Sequence, residues 1–159
     1  MATCETLCPS TTSLNIPYSH TDLWQAGIST QTHLVSLTKT FVNLFNARIY
    51  DHPILYSHIS PDICINMCGE VGYGVETLKQ NYRRTADASP AFHAENFNES
   101  VMIDEFRGTA AVLLSQDLTS HSCEGRRMCA ALVFNWERSV EGWVCKDASM
   151  IFGTPEFLP

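Results

Sequence analysis

The sequence predicts an α+β fold in which helices close over the concave face of a strongly curved antiparallel sheet, a cone with a pocket inside. Three observations predict it. Apolar residues recur at helical spacing in the first half of the chain. Four long alternating segments separated by turn signals fill the second half, and helices first with strands later is the α+β order. The length, 159 residues, suits one domain with a sizeable core that needs no disulfide or metal support.

Residues 1–20 are rich in Ser, Thr and Pro without a period and read as a flexible leader. The domain is expected over 21–153, with a short tail over 154–159. From Thr32, Leu34, Leu37, Phe41, Leu44 and Phe45 fall on one face of an amphipathic helix ending near Tyr50. Pro53 opens a second short helix, because proline is tolerated in a first turn, and Pro61 stops it. Asp62 to Cys68 alternates as a short strand into Gly69, and a helix over Val75 to Ala88 follows. Phe92 to Arg107, Thr109 to Thr119, Arg127 to Arg138 and Trp143 to Phe152 then read as a meander, with turns at Gly108, Glu124-Gly125 and Glu141-Gly142. Strands this long must twist, and Gly108 and Asn96-Phe97-Asn98 are the places for a bend or bulge.

Composition excludes several classes. Hydrophobic residues make up 45% and charged residues 17%, as in folded globular proteins. The longest apolar runs fall far short of the roughly 20 residues of a membrane-spanning helix. The start carries Glu5 and lacks a basic and an apolar signal region, so a cytoplasmic location is expected. A net charge of -7 would repel a phosphate backbone, which argues against nucleic acid. Seven cysteines, an odd number, read as small apolar residues rather than a disulfide framework. The C-x3-C pairs Cys4/Cys8 and Cys64/Cys68 have a spacing that zinc accepts, but Cys64 to Cys68 reads as strand, so no metal is expected. No nucleotide, haem or metalloprotease motif occurs, and no cofactor is expected.

The helix Phe41-Val-Asn-Leu-Phe-Asn46, the joint Ile59-Ser-Pro-Asp-Ile-Cys-Ile65, the helix after Gly74 and the hairpin Val133 to Trp143 together resemble the NTF2-like superfamily, in its SnoaL-like, ketosteroid isomerase and scytalone dehydratase branches. The resemblance covers roughly Leu34 to Gly153. It implies the cone fold and leaves the reaction open, since isomerases, dehydratases, cyclases, transport factors and silent binding modules share it. The isomerases' tyrosine and two aspartates would fall near Phe41, Asn66 and Val133, so their familiar mechanism is absent, and these three positions stand as substrate-binding candidates. Asp104-Glu105 and Gly108 resemble a scytalone dehydratase stretch, but that family's Tyr-Asp pair falls near Ala47-Arg48; one of its strand histidines lies near His93 and the other near Gln116.

For acid-base chemistry the residues offer His93, whose imidazole both accepts and donates near neutral pH, and Asp147, a carboxylate among apolar neighbours in the last strand. Glu95 shares a strand face with His93. The competing roles are a backbone-satisfied histidine, a salt-bridged aspartate and an ordinary cross-strand pair. Simple alternation puts Trp143, Cys145, Asp147, Ser149 and Ile151 on one face, without saying which face is concave. Gln116 and Asn135 sit mid-strand where amides orient a ligand, or else bond within the sheet. Tyr50 and Tyr82 belong to the roofing helices, as ligand donors or as packing.

The expected function is a cofactor-independent isomerase, cyclase or dehydratase acting on a hydrophobic polyketide- or terpenoid-like molecule of secondary metabolism. The alternative is a non-catalytic ligand-binding or assembly module of the same fold. A deep cavity with convergent His93, Asp147 or Glu95 favours the enzyme, and a collapsed apolar cone favours the module. Two apolar rows on the penultimate strand, Met128 to Trp136 and Cys129 to Val133, allow only one to line the cone. The other predicts a homodimer through the back of the sheet, unless the C-terminal tail covers it.

Overall fold

A computed structural model describes residues 29–67, 69–119 and 128–153. The expected leader, the Glu124-Gly125 turn and the C-terminal tail lie outside the described residues. Helix α1 spans Thr30–Asn46, with Ser29 as its cap accepting from the Thr32 amide at 3.2 Å. Its apolar stripe, Leu34, Leu37, Phe41, Leu44 and Phe45, is buried, as the spacing predicts. Asn46, at the end of the helix, donates to the Ala94 carbonyl at 2.8 Å and accepts from the Ala94 amide at 3.0 Å. One side chain therefore docks α1 onto a strand edge.

Helix α2, Pro53–His58, has proline in its first turn and leads without a break into β1, Ile59–Met67. Strand β2, Glu70–Tyr73, ends at Gly74, whose φ of +89° favours glycine and which donates its amide to Ile63 at 2.8 Å. Helix α3, Val75–Ala88, has the bounds that the sequence predicts. Its buried Lys79 is held by Asp51 at 2.7 Å, Glu76 at 2.8 Å and the Tyr56 hydroxyl at 2.5 Å. The cation is thus satisfied on three sides, which is how a buried charge is tolerated. Among the described residues no helix is long and apolar enough to cross a membrane.

The meander follows as β3 (His93–Asp104), β4 (Thr109–Thr119), β5 (Met128–Ser139) and β6 (Gly142–Phe152). The strands lie in the order β2-β1-β6-β5-β4-β3. All neighbours pair antiparallel except β1 and β6, which run parallel, so the expected antiparallel sheet is mixed at that one seam. Alternation reports the two faces of a strand but not the direction of a partner far off in sequence, so the seam was invisible in the sequence.

Two bulges decide which residues face inward. One falls at Phe97, between the pairs Asn96/Gln116 and Asn98/Ser115, within the segment expected to bend. The other leaves Lys146 unpaired, because Asn135 opposes Asp147 while the next residue, Trp136, opposes Cys145. Beyond it the alternation changes phase: Trp143 and Cys145 are buried inside, and so are Ala148 and Met150. The simple alternation expected for β6 fails here, because Asp147, Ser149 and Ile151 turn to the outer face.

Candidate functional site

The helices lie on the inner face of the sheet, and much of the space between is filled. Phe41 stacks on Trp136 with ring centroids 5.7 Å apart and leans on Phe134 at 6.1 Å. Phe45 stacks face to face on Tyr82 at 3.8 Å. A cavity of about 270 Å³ remains beside Tyr82. Its walls are Met67, Met150 and Phe152 from the sheet, Tyr82 and Thr85 from α3, and Phe92 ahead of β3; Glu70, Asn81 and Arg84 supply polar groups. Burial pushes the Tyr82 hydroxyl well above the ordinary phenol range, so it remains a protonated donor at neutral pH. Apolar walls with a few placed polar groups describe a small-molecule pocket, here just below the usual size range of about 300–1,000 Å³.

The sequence-derived candidates divide between the two faces. Phe41 and Gln116 face inward and are buried, Tyr82 lines the cavity, and the Tyr50 hydroxyl is buried against the helices. His93 and Glu95 are exposed on the outer face, opposite Thr119 and Asp117. Asn66 and Val133 also face outward, both opposite Ser149, so neither can reach the inner cavity. Their inward neighbours are Ile65, Met67, Leu132 and Phe134, one residue to either side: the inferred alignment had the wrong strand phase.

Asp147 is half-buried outside, where the Lys146 bulge turns it, and it accepts from Asn135 at 3.0 Å and from Ser149 at 3.1 Å. Asp147 and Asn135 share a shallow outer groove with Met102, Ala111 and Lys146. Cys64, opposite Asp147, has its thiol pushed up by desolvation and then by the Asp147 charge. The expectation that His93 and Asp147 touch one cavity is not met. The Asp147 row continues through Asn135 and Ala111 to Met102, nine residues along β3 from His93, a separation on the order of 30 Å.

Sequence reasoning missed Glu70, Phe92, Met150 and Phe152. The spacing Asn81, Tyr82, Arg84 and Thr85 marks one side of α3 and was the available signal for that wall. Among the described residues no group of three or more His, Cys, Asp or Glu side chains is arranged to hold a metal ion. The pair Cys4/Cys8 and Cys68 lie outside the described residues.

No family model and no curated protein matches the sequence. Solved structures do match in shape. A Nostoc punctiforme protein of unknown function with a cystatin-like fold superposes with a TM-score of 0.63 at 11% identity, over 80% of this chain and 95% of that one. Nuclear transport factor 2 from Cryptosporidium parvum gives 0.57 at 13%, over 74% and 90%. A Shewanella frigidimarina protein described as a candidate ketosteroid isomerase gives 0.58 at 9%, over 73% and 92%. These likenesses show the fold, an NTF2-like cone with helices on a curved mixed sheet. They do not extend to an activity, since the neighbours include a transport factor as well as a candidate enzyme.

Proposed function

We propose that the protein is a binding module of the NTF2-like fold that holds a compact hydrophobic small molecule, of polyketide or terpenoid character, in the cavity beside Tyr82. The observation that carries this reading is the separation of the two faces. The largely apolar cavity holds a protonated phenol and the Asn81 amide, with Glu70 and Arg84 at its exposed margin, while His93, Glu95 and Asp147 stand on the opposite side of the sheet. An apolar chamber favours binding through burial, at roughly 25 cal/mol per Å² of apolar surface removed from water. Proton transfer would need a base within hydrogen-bond reach of the ligand, and the carboxylate that lines the cavity, Glu70, is exposed to water.

A second reading, an isomerase, cyclase or dehydratase without a cofactor, is favoured by one observation. Glu70 lines the same cavity as Tyr82, so a carboxylate and a phenol donor meet one ligand. In that reading Tyr82 hydrogen-bonds a carbonyl oxygen and Glu70 removes the adjacent proton. The outer face supplies the third part of the proposal. Val71, Tyr73, Met102, Leu113 and Ile151 are exposed apolar side chains on it, and burying them against a second copy supports a homodimer through the sheet.

Thr85 is exposed where α3 forms the cavity wall, so Thr85→Trp narrows the entrance without entering the core. Calorimetric titration with a two-ring aromatic probe should show at least a roughly tenfold weaker affinity in Thr85→Trp, with the melting temperature nearly unchanged. Equal affinity in the two proteins would place binding elsewhere. Glu70→Gln separates the readings, since it abolishes proton exchange into a bound ketone only if the cavity is catalytic.

A further inference from the structure

The end of α1 reaches two walls of the cavity without lining it. Phe45 lies flat on the ring of Tyr82 at 3.8 Å. Beyond it, the Asn46 side chain holds both backbone polar groups of Ala94, at 2.8 and 3.0 Å. The Arg48 guanidinium donates to the Phe92 carbonyl at 2.9 Å, with longer contacts to the Pro90 and Phe45 carbonyls at 3.4 Å. The Phe92 amide in turn donates to the carbonyl of Ser89, the residue that closes α3, at 2.8 Å. Phe92, a cavity wall, is therefore held at both of its backbone polar groups, one from the end of α3 and one from the end of α1.

Arginine is an unusual residue for this place. The Arg48 amide donates back to the Phe45 carbonyl at 3.1 Å and the Ile49 amide to the Leu44 carbonyl at 2.9 Å, the pair of bonds that closes a helix through one left-handed residue. Arg48 is that residue, with φ of +62°, and among the described residues it is the only one other than glycine with a positive φ. A side chain crowds the backbone in this conformation, and glycine adopts it at least cost. A helix stop alone would be served better by glycine. What arginine adds is a planar head with several donors, long enough to gather the Phe45, Pro90 and Phe92 carbonyls.

We propose that Arg48 is a positioning residue of the ligand site: its guanidinium fixes the Phe92 wall relative to the Tyr82 wall, so that the end of α1 sets the width of the cavity. This rests on the cavity being a ligand site, as proposed above, and adds how its shape is held. Phe45 and Arg48 belong to one hydrogen-bonded turn, and through them that turn touches both walls. With Arg48 removed, the chain between α3 and β3 keeps the Ser89 bond and loses its tie to α1. Phe92 then leaves its place more easily, and a ligand must order that wall on binding instead of meeting it ready formed.

Arg48→Gly tests the proposal, because it eases the left-handed turn while removing the guanidinium. Calorimetric titration of the full chain with 2-naphthol should show about tenfold weaker affinity in this variant. Phe92→Ala removes the wall itself and should weaken binding at least as much. The double variant should bind no more weakly than Phe92→Ala, since Arg48 acts through Phe92; a merely structural role would leave the two losses additive. Without ligand, amide hydrogen exchange at Phe92 should quicken in Arg48→Gly, while Leu114 in the core keeps its rate. Undiminished affinity in Arg48→Gly, additive losses in the double variant or unchanged exchange at Phe92 would overturn the role of Arg48 while leaving the cavity as a ligand site. Failure of 2-naphthol to bind the unaltered protein would overturn the ligand site and this assignment with it.

Discussion

The inner face of the sheet presents Leu114, Gln116, Leu132, Phe134, Trp136, Ala148 and Met150 to the helices, whereas the outer face presents His93, Glu95, Asn66, Asn135 and Asp147. Inside, polar groups are few: the Tyr82 hydroxyl stays protonated, and Glu70, Asn81 and Arg84 meet the cavity at its margin. Outside, titratable groups are numerous but open to water, where proton transfer gains little from its surroundings. Residue type alone pointed to the outer set for acid-base work. The apolar lining points to the inner set for recognition.

The comparison breaks most visibly on stability. Phe41 has no exposure and is packed on Trp136 and Phe134, so Phe41→Ala should lower the unfolding free energy by about 3–5 kcal/mol in urea titration. A smaller effect belongs to acid. The Lys79 hydrogen bond holds the Asp51 carboxyl below its ordinary value of 3.8, and the Ser60 hydroxyl does the same for Asp62. A lowered carboxyl contributes stability above its unfolded value and loses it as pH falls through the folded one. The melting temperature should therefore fall as pH drops below about 4, and Asp51→Asn should flatten that fall. The smallest effect is expected at His93, exposed on the outer face: His93→Ala should shift stability by less than about 0.5 kcal/mol.

Much of the fold was legible because it rests on local patterns. The stripe from Leu34 to Phe45, Pro53 at the start of α2, the bounds of α3 and the bend at Phe97 all follow from spacing and turn chemistry within a few residues. The site was less legible, for the same reason. Around Lys146 the sequence reads Cys-Lys-Asp-Ala-Ser, and nothing in its polarity shows that one residue is unpaired; the bulge is set by β5 across the sheet. That one residue moves Asp147 from the inner face, where alternation groups it with Trp143, to the outer. A comparable phase error put Asn66 and Val133 in the pocket. Glu70 and Phe152 line the cavity only because β1 and β6 pair in parallel, a contact between strands far apart in the chain.

The central claim is that small molecules enter the inner cavity and leave the outer titratable row untouched. Amide shift mapping of the isotope-labelled protein during titration with 2-naphthol tests it most directly. The largest shifts are predicted at Met67, Tyr82, Phe92, Met150 and Phe152, with a saturating dose response, while His93, Glu95 and Asn135 stay unmoved. Saturable shifts centred on His93 or on Asp147 and Asn135, with Tyr82 and Phe92 unchanged, would contradict it.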